Sequence, residues 1–168
     1  MTPQEVAPIL EASGGAISSM LGSLPATIAS RRPADGEWCV NECVGHLIEA
    51  ERRGFAGRIK TMLDQDEPRL VSWDAAEVAK ARGDCERDLT GLLREFTALR
   101  RESVELVRSM KPSDLTRGGV HPVVSRITVD EILHEWVHHD ANHLRQALAN
   151  VQAYVWPHMG ATQRFSQP

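Results

Sequence analysis

Two pairs of histidines spaced four residues apart lie side by side near the end of the chain, His134 with His138 and His139 with His143. Residues four apart on an α-helix stand one turn above each other, so either pair can aim two imidazoles at one metal ion. A step of about 100° per residue separates the pairs by face. Leu133, Val137, Leu144, Leu148 and Val151 define the middle of an apolar arc, which Ile132, Trp136 and Ala147 extend on one side. His139 and His143 interleave with that extension, whereas His134 and His138 fall on the opposite flank beside Arg145 and read as solvent-facing. The inward pair is therefore expected to be His139 and His143. His46, farther up the chain, borders a face shared by Cys39, Cys43, Leu47 and Ala50. For one pair alone a hydrogen-bonded buried histidine is the plainer reading, and the third ring is what favours a metal. Metal sites in helix bundles are built from side chains on facing helices, and three neutral imidazoles leave positions open on a zinc-like ion, as catalytic sites do.

Other residues are weaker candidates. His121 sits in the loop Gly118-Gly119-Val120-His121-Pro122, and His158 lies in the tail. Cys39, Cys43 and Cys85 form an odd set without a Cys-x-x-Cys pair, which argues against a disulfide framework and for a reducing, cytoplasmic setting. Their apolar neighbours suggest buried or capping roles rather than thiolate ligands or nucleophiles. The chain has no Gly-x-Ser-x-Gly elbow and no phosphate-cradling glycine loop, and His134-Glu135-Trp136-Val137-His138, which spells His-Glu-x-x-His, is set aside because both of its histidines read as solvent-facing.

Positioning three rings requires helices, and about four long helical stretches are legible. The first runs from residue 3 to about 29, weakened by Gly14-Gly15 and Pro25, and the second from 39 to about 63. A third pattern occupies 73 to 110 with a break allowed near Gly83. The fourth is announced by Thr128-Val129-Asp130-Glu131, in which hydroxyl and carboxylate satisfy exposed backbone N–H groups reciprocally, and should run from 129 to about 151. Strand character is confined to 120–127 and is interrupted by Pro122, so no sheet is expected. The expected fold is all-α, a helix bundle over residues 1–151 with a C-terminal tail over 152–168.

Charge narrows the partners. Lys plus Arg number 19 against 23 Asp plus Glu, a formal net charge of −4, which offers no general attraction to nucleic acid or anionic lipid. The arginine pairs Arg31-Arg32, Arg52-Arg53 and Arg100-Arg101 have acidic residues nearby and read as solvated helix faces. No apolar run approaches the length of a membrane span, and the N-terminus lacks the pattern of a secretion signal.

Two segments resemble the DinB family, with its YfiT-like metal-dependent hydrolases and thiol-dependent transferases. Glu37-Trp38-Cys39-Val40-Asn41-Glu42-Cys43-Val44-Gly45-His46-Leu47 is similar to the family's opening Trp-Ser-x-x-Glu-x-x-x-His-Leu. His139-Asp140-Ala141-Asn142-His143-Leu144-Arg145-Gln146 is similar to its last helix, His-Asp-x-x-His-x-x-Gln. The resemblance implies a four-helix bundle with a long crossover between the second and third helices, often a homodimer, with zinc or nickel on His46, His139 and His143. Cys39 departs from the family's usual Ser, and a thiol caps a helix less well than a hydroxyl. The expected function is that of a metalloenzyme acting on a small-molecule substrate, with the ion activating a bound water or a low-molecular-weight thiol cosubstrate. The alternative is a metal-organised binding or stress-response module without turnover. Glu42 and Glu49 are candidates to orient His46, and Gln146 and Glu135 lie near His139.

Overall fold

The computed structural model describes residues 1–166. Four long helical rods make the bundle. The first, α1 (Pro3–Leu21), starts with Thr2 and Glu5 closing a capping box and with Pro3 in the first turn. It ends sooner than its pattern suggests, and a four-residue helix, α2 (Ala26–Ala29), follows Pro25. The second rod is α3 (Val40–Glu49) continued through a π-helical turn (Ala50–Gly54) into α4 (Ala56–Asp64).

The long crossover after α4 contains α5 (Ala75–Arg82). Gly83 ends it in the left-handed region (φ 60°), and a short turn (Asp84–Glu86) leads to α6 (Leu89–Ser109). The third predicted stretch is therefore two helices divided at the expected glycine. That turn packs against α3 so closely that a Cβ on Gly45 would lie 1.9 Å from the Asp84 carboxylate. Glycine is what lets the carboxylate approach.

Contrary to the sequence expectation, a small sheet is present: β1 (Gly118–His121) pairs antiparallel with β2 (Ser125–Thr128) in the register His121↔Ser125. Pro122 lies in the turn, where it interrupts no ladder bond, so it shapes the hairpin instead of forbidding it. Finally α7 (Val129–Val155) begins at the predicted Thr128–Glu131 capping box and runs a turn beyond its expected end.

Two apolar clusters fill the bundle. One holds Leu10, Phe55, Val104 and Trp136; the other holds Ile17, Leu47, Phe96 and Ala147. Between them along the helices lies a buried ionic layer. Arg100 on α6, only 4% exposed, donates to Glu51 Oε1 at 2.8 Å, to Asp140 Oδ1 at 2.9 Å and to the Leu10 carbonyl at 2.9 Å. Ser13 and Ser103 hydroxyls complete the layer by donating to Asp140 and Glu51. Arg100 is thus not on a solvated face, as its pairing with Arg101 suggested. Burial opposes its charge, but the hydrogen bonds and charges of Asp140 and Glu51 outweigh burial and raise its pKa.

The cysteine reading also needs correction. Cys39 and Cys85 are joined as a disulfide, with Cα atoms 6.2 Å apart, leaving Cys43 free and buried. The two lie 46 residues apart, and only the packing of the turn after α5 onto the start of α3 brings them together. The cysteine count therefore loses its force as an argument for a reducing compartment. Among the described residues no helix is long and apolar enough to cross a membrane.

Candidate metal centre

The structure brings His46 from α3 together with His139 and His143 from α7. Their candidate ligand nitrogens all lie within 4.8 Å of one another. His46 Nε2 and His139 Nε2 face each other at 2.9 Å, and the His143 ring centroid is 4.5 Å from His46 and 4.4 Å from His139. Nitrogens each about 2.0–2.1 Å from one zinc ion stand roughly 3.3 Å apart in a tetrahedral arrangement, so the cluster has the dimensions of a ligand set.

Its electrostatics fit as well. Burial and the neighbouring rings hold His46 down to about 3, burial and the charges of His143 and Arg100 hold His139 down to about 3, and burial lowers His143. All three rings are neutral near pH 7, the form that offers a lone pair to a metal. Gln146 Oε1 lies 2.9 Å from His143 Nδ1; accepting that N–H leaves His143 Nε2 as the free donor to an ion. The Nδ1 atoms of His46 and His139 are buried without a hydrogen-bond partner among the described residues.

Why these residues meet is partly local. The buried line of α7 runs through Ile132, Leu133, Trp136, Asp140, Ala147 and Asn150, while Val137, Leu144, Leu148 and Val151 are only half-buried. The apolar arc read from the sequence was therefore centred too far from the histidine side. Asp140 is what shifts it, because a carboxylate paired with Arg100 occupies the middle of the buried face. On the second rod, the π turn carries Glu51 into the ionic layer and is followed by Phe55, whose ring stacks on Trp136 at 5.0 Å and meets His139 edge-on at 4.9 Å.

Aromatic walls complete the centre. Trp38 lies 5.0 Å from the His46 ring and stacks over His143 at 6.2 Å, and Trp73 lies 5.5 Å from His46. Asn150 fixes Trp38 by donating to its carbonyl at 2.7 Å. Trp38 was within reach of sequence reasoning, one position before the helix cap. Trp73 comes from the crossover and had no periodic signal.

The remaining candidates sort clearly. His134 bonds the N-terminal amine and the Asp130 carbonyl, and His138 meets Asn142, both on the exposed flank as expected. His121 takes a hydrogen bond from Arg58 at 3.2 Å and stands outside the triad; His158 follows α7 in an exposed turn. Of the orienting candidates, Gln146 touches His143 rather than His139. Glu42 closes the start of α3 by accepting the Cys39 N–H at 3.0 Å and pairs with Arg32, so it makes up for the weak cap instead of orienting His46. Glu49 is taken up by Arg52, Arg53 and Arg82. Glu135 is exposed and has no bond to the triad among the described residues.

The depressed histidines fix a pH dependence. Folded values near 3 against an ordinary 6.5 mean that His46 and His139 bind fewer protons folded than unfolded between those limits. Their contribution to stability is present above pH 6.5 and is lost as pH falls toward 3, by up to about 1.4 kcal/mol per unit of displacement for each ring. Urea denaturation of the metal-stripped protein should therefore show a midpoint falling over this window. The His46→Gln/His139→Gln variant should show a shallower fall; parallel curves would refute the assignment.

A protein from Bacillus subtilis (strain 168), named "Putative metal-dependent hydrolase YfiT", is 25% identical over 111 residues, covering 66% of this chain and 62% of the relative's length. The solved structure of YfiT from Bacillus subtilis, titled as "a probable metal-dependent hydrolase with an unusual four-helix bundle topology", superposes with a TM-score of 0.83 at 20% identity, over 92% of this chain and 88% of that one. That likeness establishes the four-helix bundle. The family model of the DinB superfamily matches residues 9–147, from the first helix through both histidine segments, and the chain belongs to that superfamily.

Proposed function

We infer that this protein is a metal-dependent enzyme whose centre is His46, His139 and His143. The observation that carries this reading is the convergence of three neutral, half-buried imidazoles from two helices. These three residues would hold a divalent ion, zinc or nickel, which would supply Lewis acidity and acidify a water or low-molecular-weight thiol.

The chain's own residues set the conditions for that chemistry. As uncharged ligands, His46, His139 and His143 would neutralise none of the ion's positive charge. Gln146 holds the His143 ring in one tautomer, and Trp38 and Trp73 wall the centre with apolar surface that limits water. No cysteine of the chain serves as nucleophile: Cys39 and Cys85 are bonded to each other, and burial pushes the Cys43 thiol up to about 12. The nucleophile therefore comes from solution. The relative's name supports water in that role, and the resemblance of the two motifs to thiol-dependent transferases supports a thiol.

The test begins with elemental analysis of protein purified without a nickel column, for which about one metal per three-histidine centre is expected. The loaded protein is then offered activated esters and amides, and separately an electrophile with a panel of thiols. Turnover that saturates, disappears on chelation and returns with metal is expected in one arm. A metal-loaded protein inert in both arms would favour the non-catalytic binding module.

A further inference from the structure

The π turn, α4 and the connection that follows enclose a cleft of about 500 Å³ next to the histidine centre. Arg52, Arg53, Arg58 and Arg69 line it with Trp73, and no aspartate or glutamate does. This is a concentration of positive charge in a chain whose formal net charge is −4. Arg52 and Arg53 are answered by Glu49, and Arg52 also by Glu95. Arg58 and Arg69 form no ion pair among the described residues.

Arg58 is the more telling of the two. Its Nε is out of solvent and has no partner among the described residues. Its Nη2 reaches only the Val71 carbonyl at 3.4 Å and His121 Nε2 at 3.2 Å, neither of which carries negative charge. Burial lowers its pKa, as expected of a cation removed from water without a counter-ion. An anion entering the cleft would relieve that cost, and the guanidinium fork matches the paired oxygens of a carboxylate or phosphate. Trp73 ties the cleft to the centre: its ring lies 5.5 Å from that of His46 and 5.7 Å from the Arg53 guanidinium.

We propose that this cleft binds the carboxylate or phosphate group of a small molecule, with Arg58 and Arg69 as its principal contacts. Resting on the metalloenzyme reading above, the substrate of the histidine centre is then an anionic small molecule, anchored in the cleft and extending past Trp73 to His46.

The full-length protein, isotopically labelled, is titrated with succinate and with inorganic phosphate while the Arg58 Nε–H and Trp73 indole N–H signals are followed by NMR. Saturable shifts of both signals are expected, and the tighter of the two anions identifies the group. Arg58→Gln/Arg69→Gln should weaken binding by about ten-fold or more, whereas Arg94→Gln/Arg164→Gln, which removes the same charge elsewhere, should not. Arg58→Lys keeps the charge and loses the fork, so it should fall between, with an unchanged melting temperature confirming the fold. Absence of shifts for both anions, or equal weakening in the two double variants, would overturn the proposal. Titrating the metal-stripped protein separates the two readings: binding there without any metal-dependent activity keeps the cleft and rejects the enzyme, and activity without anion binding does the reverse.

Discussion

Alanine at His139, His143 or His46 is expected to cut metal affinity by at least about 100-fold, more than the 10–100-fold that loss of an outer partner of a ligand costs. The centre has three imidazoles and no carboxylate to replace one. Gln146→Ala, which leaves the rings in place but frees the His143 tautomer, should cost about ten-fold. His134→Ala and His138→Ala act as controls, because their rings bond to the N-terminus, the Asp130 carbonyl and Asn142 on the outer flank. Competition with a chromophoric chelator measures all of these on one scale. If His134→Ala released the metal while His139→Ala retained it, the face of α7 assigned to the centre would be the wrong one.

Asp140→Ala is expected to cost about 3 kcal/mol of stability, because Glu51 still balances the Arg100 charge but the Arg100 Nη1 and Nη2 groups and the Ser13 hydroxyl lose the carboxylate they donate to inside the bundle. Against a usual total of about 5–15 kcal/mol, that loss is large enough to move the urea midpoint far below that of the parent. Arg100→Ala should do the same from the other side, stranding Asp140 and Glu51 together. The exposed pair of Arg108 with Glu11 provides the contrast, since Arg108→Ala should leave the midpoint nearly unchanged. An Asp140→Ala protein as stable as the parent would mean that the ionic layer is not closed as described. The Asp140 carboxylate also favours positive charge at His143, so its loss should lower metal affinity as well. Comparing the stability of the metal-stripped variant with the affinity of the loaded one separates these effects.

Much of the centre was legible from residue types and local spacing. The Thr128–Glu131 capping box sets where α7 begins, and four-residue spacing on a helix of known start determines that His139 and His143 share a face opposite His134 and His138. These are short-range properties of a single helix, so one strand of sequence suffices to read them. Arg100 was also accessible in principle, because it falls in line with Phe96, Ser103, Val104 and Val107 on the buried face of α6. Weighing it by charge and by its neighbour Arg101 hid that phase.

The rest depends on contacts between residues far apart in the chain. Glu51 meets Arg100 across 49 positions and Asp140 meets it across 40, and a charge reads as exposed until its partner is known. The Cys39–Cys85 bond exists because the turn after α5 packs on Gly45, a fit invisible in cysteine spacing. Trp73 and the arginine cleft are assembled by the irregular crossover, where no period marks which side chains point inward. The sequence by itself determined the three histidines and the helices that carry them, because helical phase is local. Only the tertiary structure decided what holds those rings neutral, what walls them and what lies beside them, because burial and pairing arise when distant segments pack together.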